Sequence, residues 1–550
     1  MKKRLIGSVL ILCILLPMFA IGASAATTTS ISQFGITWTF SEAVEYGQFA
    51  NGDYWVVGPV TITSITPATT VVGGASMHGS MINPTPNSKQ GFDSRINGGS
   101  YDAVLNVAIT MPLVVQPGSS LLSCKSFEAL VGNVTNDSQM ETLAILTILA
   151  EPAPEGSFRP PYAGDDKALN WNKSQLDYTR LGSLPALAAD PTRGVYYVPY
   201  EMSLVESRFE RPWIELNTTW VGRNWHPHLN QLTLSGGSGN YGREIANTVA
   251  AGLLMLQLDY SKAQKETLLI RMVQYGIDIY GVAKMGAKWN NDGGHNMGRK
   301  MPLLLAGTAL GDENILEYGD AAKHFIFQED QQTFYISQAD VDRARHTGDG
   351  RQRDPYTVDM IGRPEWGEKH MGQPERDGSN WGVSYRSLNN GTWFGHALTA
   401  HIMGLEEAWN WSAYFDYVER AAEIDIYNVA SDDTGKLLLG DITGFVYKMW
   451  LTYRDEEYTY DTSIHWDYVV HNKSTDQKEM FDVIYRGTSA SKAVTMFVAS
   501  YNADGTLTAV ALENMSFTKN VKSQIELDKP ISADSYKVFL WEDGSMVPLI

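Results

Sequence analysis

The run Trp289-Asn290-Asn291-Asp292-Gly293-Gly294-His295-Asn296-Met297-Gly298-Arg299-Lys300 sets amides, a carboxylate, an imidazole and two cations around paired glycines. Asn and Gly favour tight backbone geometry, and glycine lets a large ligand approach the main chain. A base for neutral pH is most simply a histidine, and His295 is the member of the run that qualifies. A helix is expected directly after the run. Its N-terminus would add N–H donors and positive potential for an anionic group. The competing structural reading is a turn and N-cap around a hydrogen-bonded core histidine.

A second cluster, Val221-Gly222-Arg223-Asn224-Trp225-His226-Pro227-His228-Leu229-Asn230-Gln231, again mixes Asn, His, Trp and Arg on an expected loop. His226 and His228 are spaced as a metal pair would be, but an H-x-H pair alone is a weak signal. Nearby, Asn240-Tyr241-Gly242-Arg243-Glu244 opens a helix, and Tyr241 and Arg243 are expected to face the same cleft. A third region, 329–386, carries Glu329, Asp330, Tyr335, Arg343, Arg345, Arg351, Arg353, Asp354, Arg363, Trp366, Glu368, His370, Asp377, Trp381, Tyr385 and Arg386. Its basic residues are nearly all Arg, which suits bidentate carboxylate recognition. Acids balance them, so a charge-paired surface loop is the alternative. No G-x-S-x-G elbow, Walker loop, H-E-x-x-H or paired C-x-x-C occurs. No cofactor is expected, and a structural or catalytic calcium is left open.

These loops need a scaffold. Between about 165 and 453 the apolar residues recur at helical spacing. Helices are expected over Glu244 to Asp259, Gln264 to Met285, Arg299 to Leu310, Glu313 to Phe327, Trp393 to Trp409, Ser412 to Ile424 and Asp441 to Tyr453. They pair as a very apolar helix, a tight turn and a more amphipathic helix. Leu304-Leu305-Ala306-Gly307 with Gly311-Asp312-Glu313, and Leu398-Thr399-Ala400 with Gly404-Leu405-Glu406, form a weak internal repeat. Repeated antiparallel hairpins with long polar insertions imply an α/α toroid whose loops gather into a cleft; a plain bundle is the simpler alternative.

Flanking regions read as β. Ile36-Thr37-Trp38-Thr39-Phe40 alternates, and Tyr54 to Val57, Val60 to Ile65, Val104 to Ile109 and Leu143 to Leu149 are further β-rich runs, punctuated as in a sandwich. A Pro-rich connector follows. At the other end, Ala493 to Tyr501, the turn Asn502-Ala503-Asp504-Gly505, Thr506 to Leu512 and Tyr536 to Trp541 signal a hairpin and a final strand. The expected fold is therefore multidomain α+β. Residues 1–25 form a signal peptide, 26–150 a β-sandwich-like domain, 151–164 the linker, 165–455 the toroid catalytic domain and 475–550 a small β-sandwich module. Ala499-Ser500-Tyr501 with Asp504-Gly505-Thr506-Leu507, then Tyr536-Lys537-Val538-Phe539-Leu540-Trp541, resembles the small β modules appended to secreted Firmicutes carbohydrate enzymes.

Lys2, Lys3 and Arg4 precede an apolar stretch that ends at Ala23-Ser24-Ala25, the layout of a bacterial Sec-type export signal. Export to the cell surface or medium is expected, and no later stretch of the sequence is apolar enough to span a bilayer. Removing the leader takes Cys13 with it and leaves Cys124 without a disulfide partner. The 550-residue chain carries a formal charge of −19, about −22 without the leader's three cations. Such acidity opposes nucleic-acid binding. The expected partner is a polysaccharide or oligosaccharide.

This layout resembles that of secreted polysaccharide-degrading enzymes with toroid catalytic domains. Resemblance to toroid polysaccharide lyases implies an Asn, Gln or Arg that neutralises a uronate carboxylate, a His or Tyr that takes the C5 proton and a Tyr that protonates the leaving oxygen. The residue types are present as Asn291 or Asn224, Arg299 or Arg223, His295 or His226, and Tyr241 or Tyr385, with Trp225, Arg243, Lys300, Trp381 and Arg386 as further binding candidates. A toroid glycoside hydrolase is the rival. It needs two carboxyl groups, with Asp292 as one and Glu329, Asp330, Asp354 or Glu368 as the other. A third reading is a surface protein that binds glycans without cleaving them.

Overall fold

A computed structural model describes residues 26–96, 99–129, 139–187, 199–216, 225–232, 242–342, 356–367, 387–422 and 440–454 of one compact unit. In a second unit it describes 468–472, 478–485, 491–502, 506–518, 522–528 and 535–542. The architecture is mixed α+β.

The first unit opens with strands β1 (Thr27–Gln33), β2 (Ile36–Gln48), β3 (Tyr54–Val57), β4 (Val60–Thr66), β5 (Thr70–Val72), β6 (Ala75–Met77), β7 (Ser80–Ile82), β8 (Leu113–Val115), β9 (Ser119–Ser126) and β10 (Met140–Leu149). Eight of them form one sheet in the order β7-β9-β10-β3-β2-β4-β8, with β1 paired to β2. The pairings are antiparallel except β10 with β3. Alternation along β2 sends Ile36, Trp38 and Phe40 into a core shared with Ile62, Leu121 and Leu146. Val104 to Ile109, read above as β-rich, instead forms two short 3-10 turns, Ala103–Leu105 and Val107–Ile109. Asp102 accepts the Val104 N–H and Asn106 accepts the Ala108 N–H, and these side-chain caps outweigh β propensity.

The connector after β10 is exposed at Glu151, Pro152, Pro154 and Glu155 but buried from Ser157 to Pro160. Arg159 has no exposure; its Nε donates to Asp53 at 2.6 Å and its Nη1 to Asp278 at 3.0 Å. Lys167 Nζ donates to the carbonyls of Pro161, Tyr162, Ala163 and Gly164 at 2.6–3.3 Å.

Helices follow: α1 (Met202–Arg208), α2 (His228–Gln231), α3 (Gly242–Leu256), α4 (Lys262–Lys284), α5 (Lys300–Leu310), α6 (Glu313–Gly319) and α7 (Gln328–Gln332). Then come β11 (Thr333–Tyr335), α8 (Gln338–Asp342), β12 (Pro364–Trp366), α9 (Ser387–Ile402), α10 (Glu406–Trp409), α11 (Ser412–Ala421) and α12 (Gly440–Tyr453). Helix α3 is apolar and almost wholly buried, as a helix packed on all sides must be. It touches α4, α9 and α12, while α5 packs between α4 and α6. The repeat read in the sequence has a structural counterpart. Gly311 closes α5 at φ +64°, and Gly404 turns the chain between α9 and α10 at the same angle. That turn splits the helix expected over Trp393 to Trp409. The helix expected over Glu313 to Phe327 ends at Gly319, where Asp320 caps a new turn through the Ala322 N–H.

The long insertion after α7 carries a two-stranded sheet, β11 with β12, over a small core of Ile336, Tyr356 and Met360.

The second unit holds β13 (Tyr468–Asn472), β14 (Lys478–Tyr485), β15 (Ser491–Tyr501), β16 (Leu507–Thr518), β17 (Lys522–Asp528) and β18 (Ser535–Glu542). They form two antiparallel three-stranded sheets, β13-β14-β17 and β16-β15-β18. Among the described residues no helix is long and apolar enough to cross a membrane.

Candidate active-site loop

The loop between α4 and α5 is held chiefly by α7. Gln328 accepts the Asn296 N–H at 2.8 Å, and both Gln328 and Gln332 donate to the Gly293 carbonyl, at 2.6 and 3.1 Å. Gln331 accepts the Asn291 N–H at 3.2 Å. Glu329 accepts the Gly298 N–H at 2.6 Å. Trp366 on β12 donates to Gln332 at 2.9 Å and so fixes the helix from behind. Gly242 packs so closely on the carbonyls of Gly294 and His295 that no Cβ would fit there. That contact brings the first turn of α3 onto the loop.

Two layers result. In the outer layer Asn291 is exposed, and the side chains of Asp292 and His295 are 15% and 17% exposed. His295 Nδ1 lies 3.6 Å from Asp292 Oδ2, and the His295 N–H donates to the Asp292 carbonyl at 3.0 Å.

The inner layer is buried. Arg299, expected on a cleft wall, is fully buried; its Nε meets Glu215 Oε1 at 3.1 Å and Oε2 at 3.3 Å. Tyr275 and Trp289 each donate to the same carboxylate at 2.9 Å. Burial opposes ionisation of Glu215, but Arg299 and these donors outweigh it and hold the carboxyl below its usual range. Lys300 is equally buried. Its Nζ lies 2.8 Å from both oxygens of Asp330 and 3.0 Å from the Trp409 carbonyl, over the Trp409 ring. Both cations are thus matched by interior carboxylates and do not reach solvent. His226 and Trp225 are interior too. His226 Nδ1 accepts the Ile214 N–H at 3.3 Å, and burial pulls its pKa down to about 4. Arg243 is partly exposed and pairs with its neighbour Glu244.

Two ionisable groups meet the loop at Gly298. One is Glu329, whose carboxyl burial pushes up to about 7 and whose Oε2 has no hydrogen-bond partner. The other is His396 on α9, with Nε2 at 3.0 Å from the Ala246 carbonyl, Nδ1 unpartnered and a pKa pulled down to about 4 by burial. A Cβ on Gly298 would lie 3.3 Å from the His396 ring. Neither His396 nor Glu215 stands out from its sequence neighbours. The available signal is one polar residue in an apolar run, as in Phe394-Gly395-His396-Ala397-Leu398 and Trp213-Ile214-Glu215-Leu216.

Arg223, Asn224, Tyr241, Trp381, Tyr385 and Arg386 lie outside the described residues, as do Asp354, Glu368 and the leader. Among the described residues no group of three or more His, Cys, Asp and Glu side chains is arranged to hold a metal. A cleft of about 140 Å³ elsewhere, lined by Trp171, Tyr280, Lys284 and Met285 among others, includes none of the loop residues. No family model, curated protein or solved structure matches the chain.

Proposed function

We propose that the chain is an exported polysaccharide lyase that cleaves a uronate-containing glycan by β-elimination, with the α4–α5 loop at its active site. The observation that carries this reading is the pairing of His295 with Asp292 at the partly exposed lip of a rigidly held loop. His226 and His396 are buried, with pKa values pulled down to about 4, whereas His295 is partly exposed on the loop, which favours it as the base. His295 takes the C5 proton of the uronate. The electrons form the C4–C5 double bond, and the C4–O bond breaks. Asn291, exposed beside it, hydrogen-bonds the uronate carboxylate, and Tyr241 or Tyr385 gives a proton to the departing oxygen. The successive helix pairs support completion of the helical layer as an α/α toroid, and the presence of two three-stranded antiparallel sheets supports a β-sandwich module at the C-terminus.

A hydrolase is favoured by one specific observation. Burial raises the pKa of Glu329 to about 7, in the range a general acid requires, with Asp292 as its partner, but Glu329 is fully buried, so this reading stands second.

Incubating the protein with a panel of acidic and neutral polysaccharides, and following ultraviolet absorbance alongside reducing ends, separates the two. New absorbance from an unsaturated uronate supports elimination. Reducing ends without absorbance sink it in favour of hydrolysis.

A further inference from the structure

We infer that Phe325, Trp411 and Tyr335 form a subsite for an uncharged sugar ring beside the His295 loop; this rests on the reading above that the ligand is a glycan. Phe325 is 46% and Tyr335 39% exposed, unusual for rings of this size. Phe325 meets Trp411 edge-on, with ring centroids 5.0 Å apart and an interplanar angle of 65°. Two of the rings are fixed by hydrogen bonds. Trp411 Nε1 donates to the carbonyl and the hydroxyl of Thr333 at 3.1 and 3.0 Å. The Tyr335 hydroxyl bonds Ser412 at 3.0 Å and also Asp416. Rigid exposed rings lose little conformational entropy on binding, and the C–H face of a pyranose stacks on them.

The platform is joined to the loop by one side chain. Gln331 accepts the Asn291 N–H at 3.2 Å and donates to the Phe325 carbonyl at 3.3 Å. A glycan that reaches His295 across Asn291 therefore meets these rings next. The charged groups drawn in by the platform's own bonds are acidic. Asp416 binds Tyr335, and Asp320 accepts from Asn410, the residue before Trp411, at 2.8 Å. Lys323, two residues before Phe325, is paired with Glu317 at 3.4 Å, so Asp320 and Asp416 leave this edge net acidic and it repels a second uronate. The substrate class that fits both places has a uronate at His295 and a neutral sugar on the platform, so a mixed glycan is preferred over a pure polyuronate.

The test is affinity electrophoresis of the full chain through gels containing hyaluronan, glucuronoxylan, polygalacturonate or alginate. Retardation by a mixed glycan, weakened roughly three- to tenfold in Phe325→Ala and in Trp411→Ala and retained in Phe325→Trp, is the expected result. Thermal unfolding of each variant shows whether a loss reflects folding, and Phe325→Ala is the decisive variant because its ring is the most exposed. Retardation unchanged in both alanine variants, retardation by the polyuronates alone, or retardation by no gel overturns the subsite. The elimination reading fails separately: the wild type would release no unsaturated product while the platform variants still lost retardation.

Discussion

The backbone N–H of Gly298 donates to Oε1 of Glu329 over 2.6 Å, so the loop that carries His295 is anchored on a carboxyl group sealed from solvent. Burial is the largest influence on that carboxyl and lifts it from an ordinary 4.5 to about 7. Between those values the folded protein holds a proton that the unfolded chain has released. Glu329 therefore stabilises the fold fully below about pH 4.5, and that contribution is lost as pH rises through 7. Replacing it with a permanently neutral amide should flatten this trend. Relative to the wild type, Glu329→Gln should gain on the order of 3 kcal/mol by pH 8. Thermal unfolding of both proteins from pH 4 to 8 checks this, and parallel curves would refute it.

His295 and His396 should separate function from stability. His295→Ala removes a partly exposed ring, so product formation should fall by a factor of about 10² or more with little change in unfolding temperature. His396→Ala removes the buried ring and its bond to the Ala246 carbonyl and should cost about 1–3 kcal/mol. Initial rates and melting curves on the two variants test this; equal rates for His295→Ala and the wild type would remove it from the mechanism.

Arg299 and Glu215 form a closed interior pair. Arg299→Met strands a buried carboxylate and Glu215→Leu strands a buried guanidinium, so each should lose about 3–5 kcal/mol. Joining the two substitutions should recover part of that loss. Chemical denaturation of the two single variants and the double variant gives the coupling, and simple additivity would show that the pair acts independently.

Cys124 lies in β9 with 2% exposure, and burial pushes its thiol far above the ordinary range. Alkylation of the folded protein should leave the peptide containing Cys124 unmodified, and denaturant should make it react completely. Mass spectrometry of the digested protein reads this directly. Modification in the absence of denaturant would mean that the sheet opens locally.

Local patterns located most of the regular elements. The alternation of Ile36, Trp38 and Phe40 and the apolar period of α3 report burial directly, because one residue's neighbours determine which way it faces. The failures lie where a polar side chain competes with a propensity. Asp102 and Asn106 convert a β-rich run into turns, and Asp320 ends a helix early. At the loop, the dense Asn, Gly and His composition singled out the segment, and Asn291, Asp292 and His295 share its outer layer. Burial of Arg299 and Lys300 was not legible, because their carboxylates lie 84 and 30 residues away and leave no periodic trace. Glu329 was named as a carboxylate candidate, but its anchoring of Gly298 is visible only in three dimensions.

Arg159 has a bearing on how such a chain can be recombined. Its guanidinium is shared between Asp53 in the β2–β3 turn and Asp278 on α4, with the proline-rich connector supplying the arginine itself. Exchange of the N-terminal sheet for another, by gene fusion or in the laboratory, would remove Asp53 and leave the buried Arg159 Nε without its acceptor. A successful transplant must carry three distant positions together, so the sheet and helices are inherited as a single piece even though the sequence between them reads like a hinge.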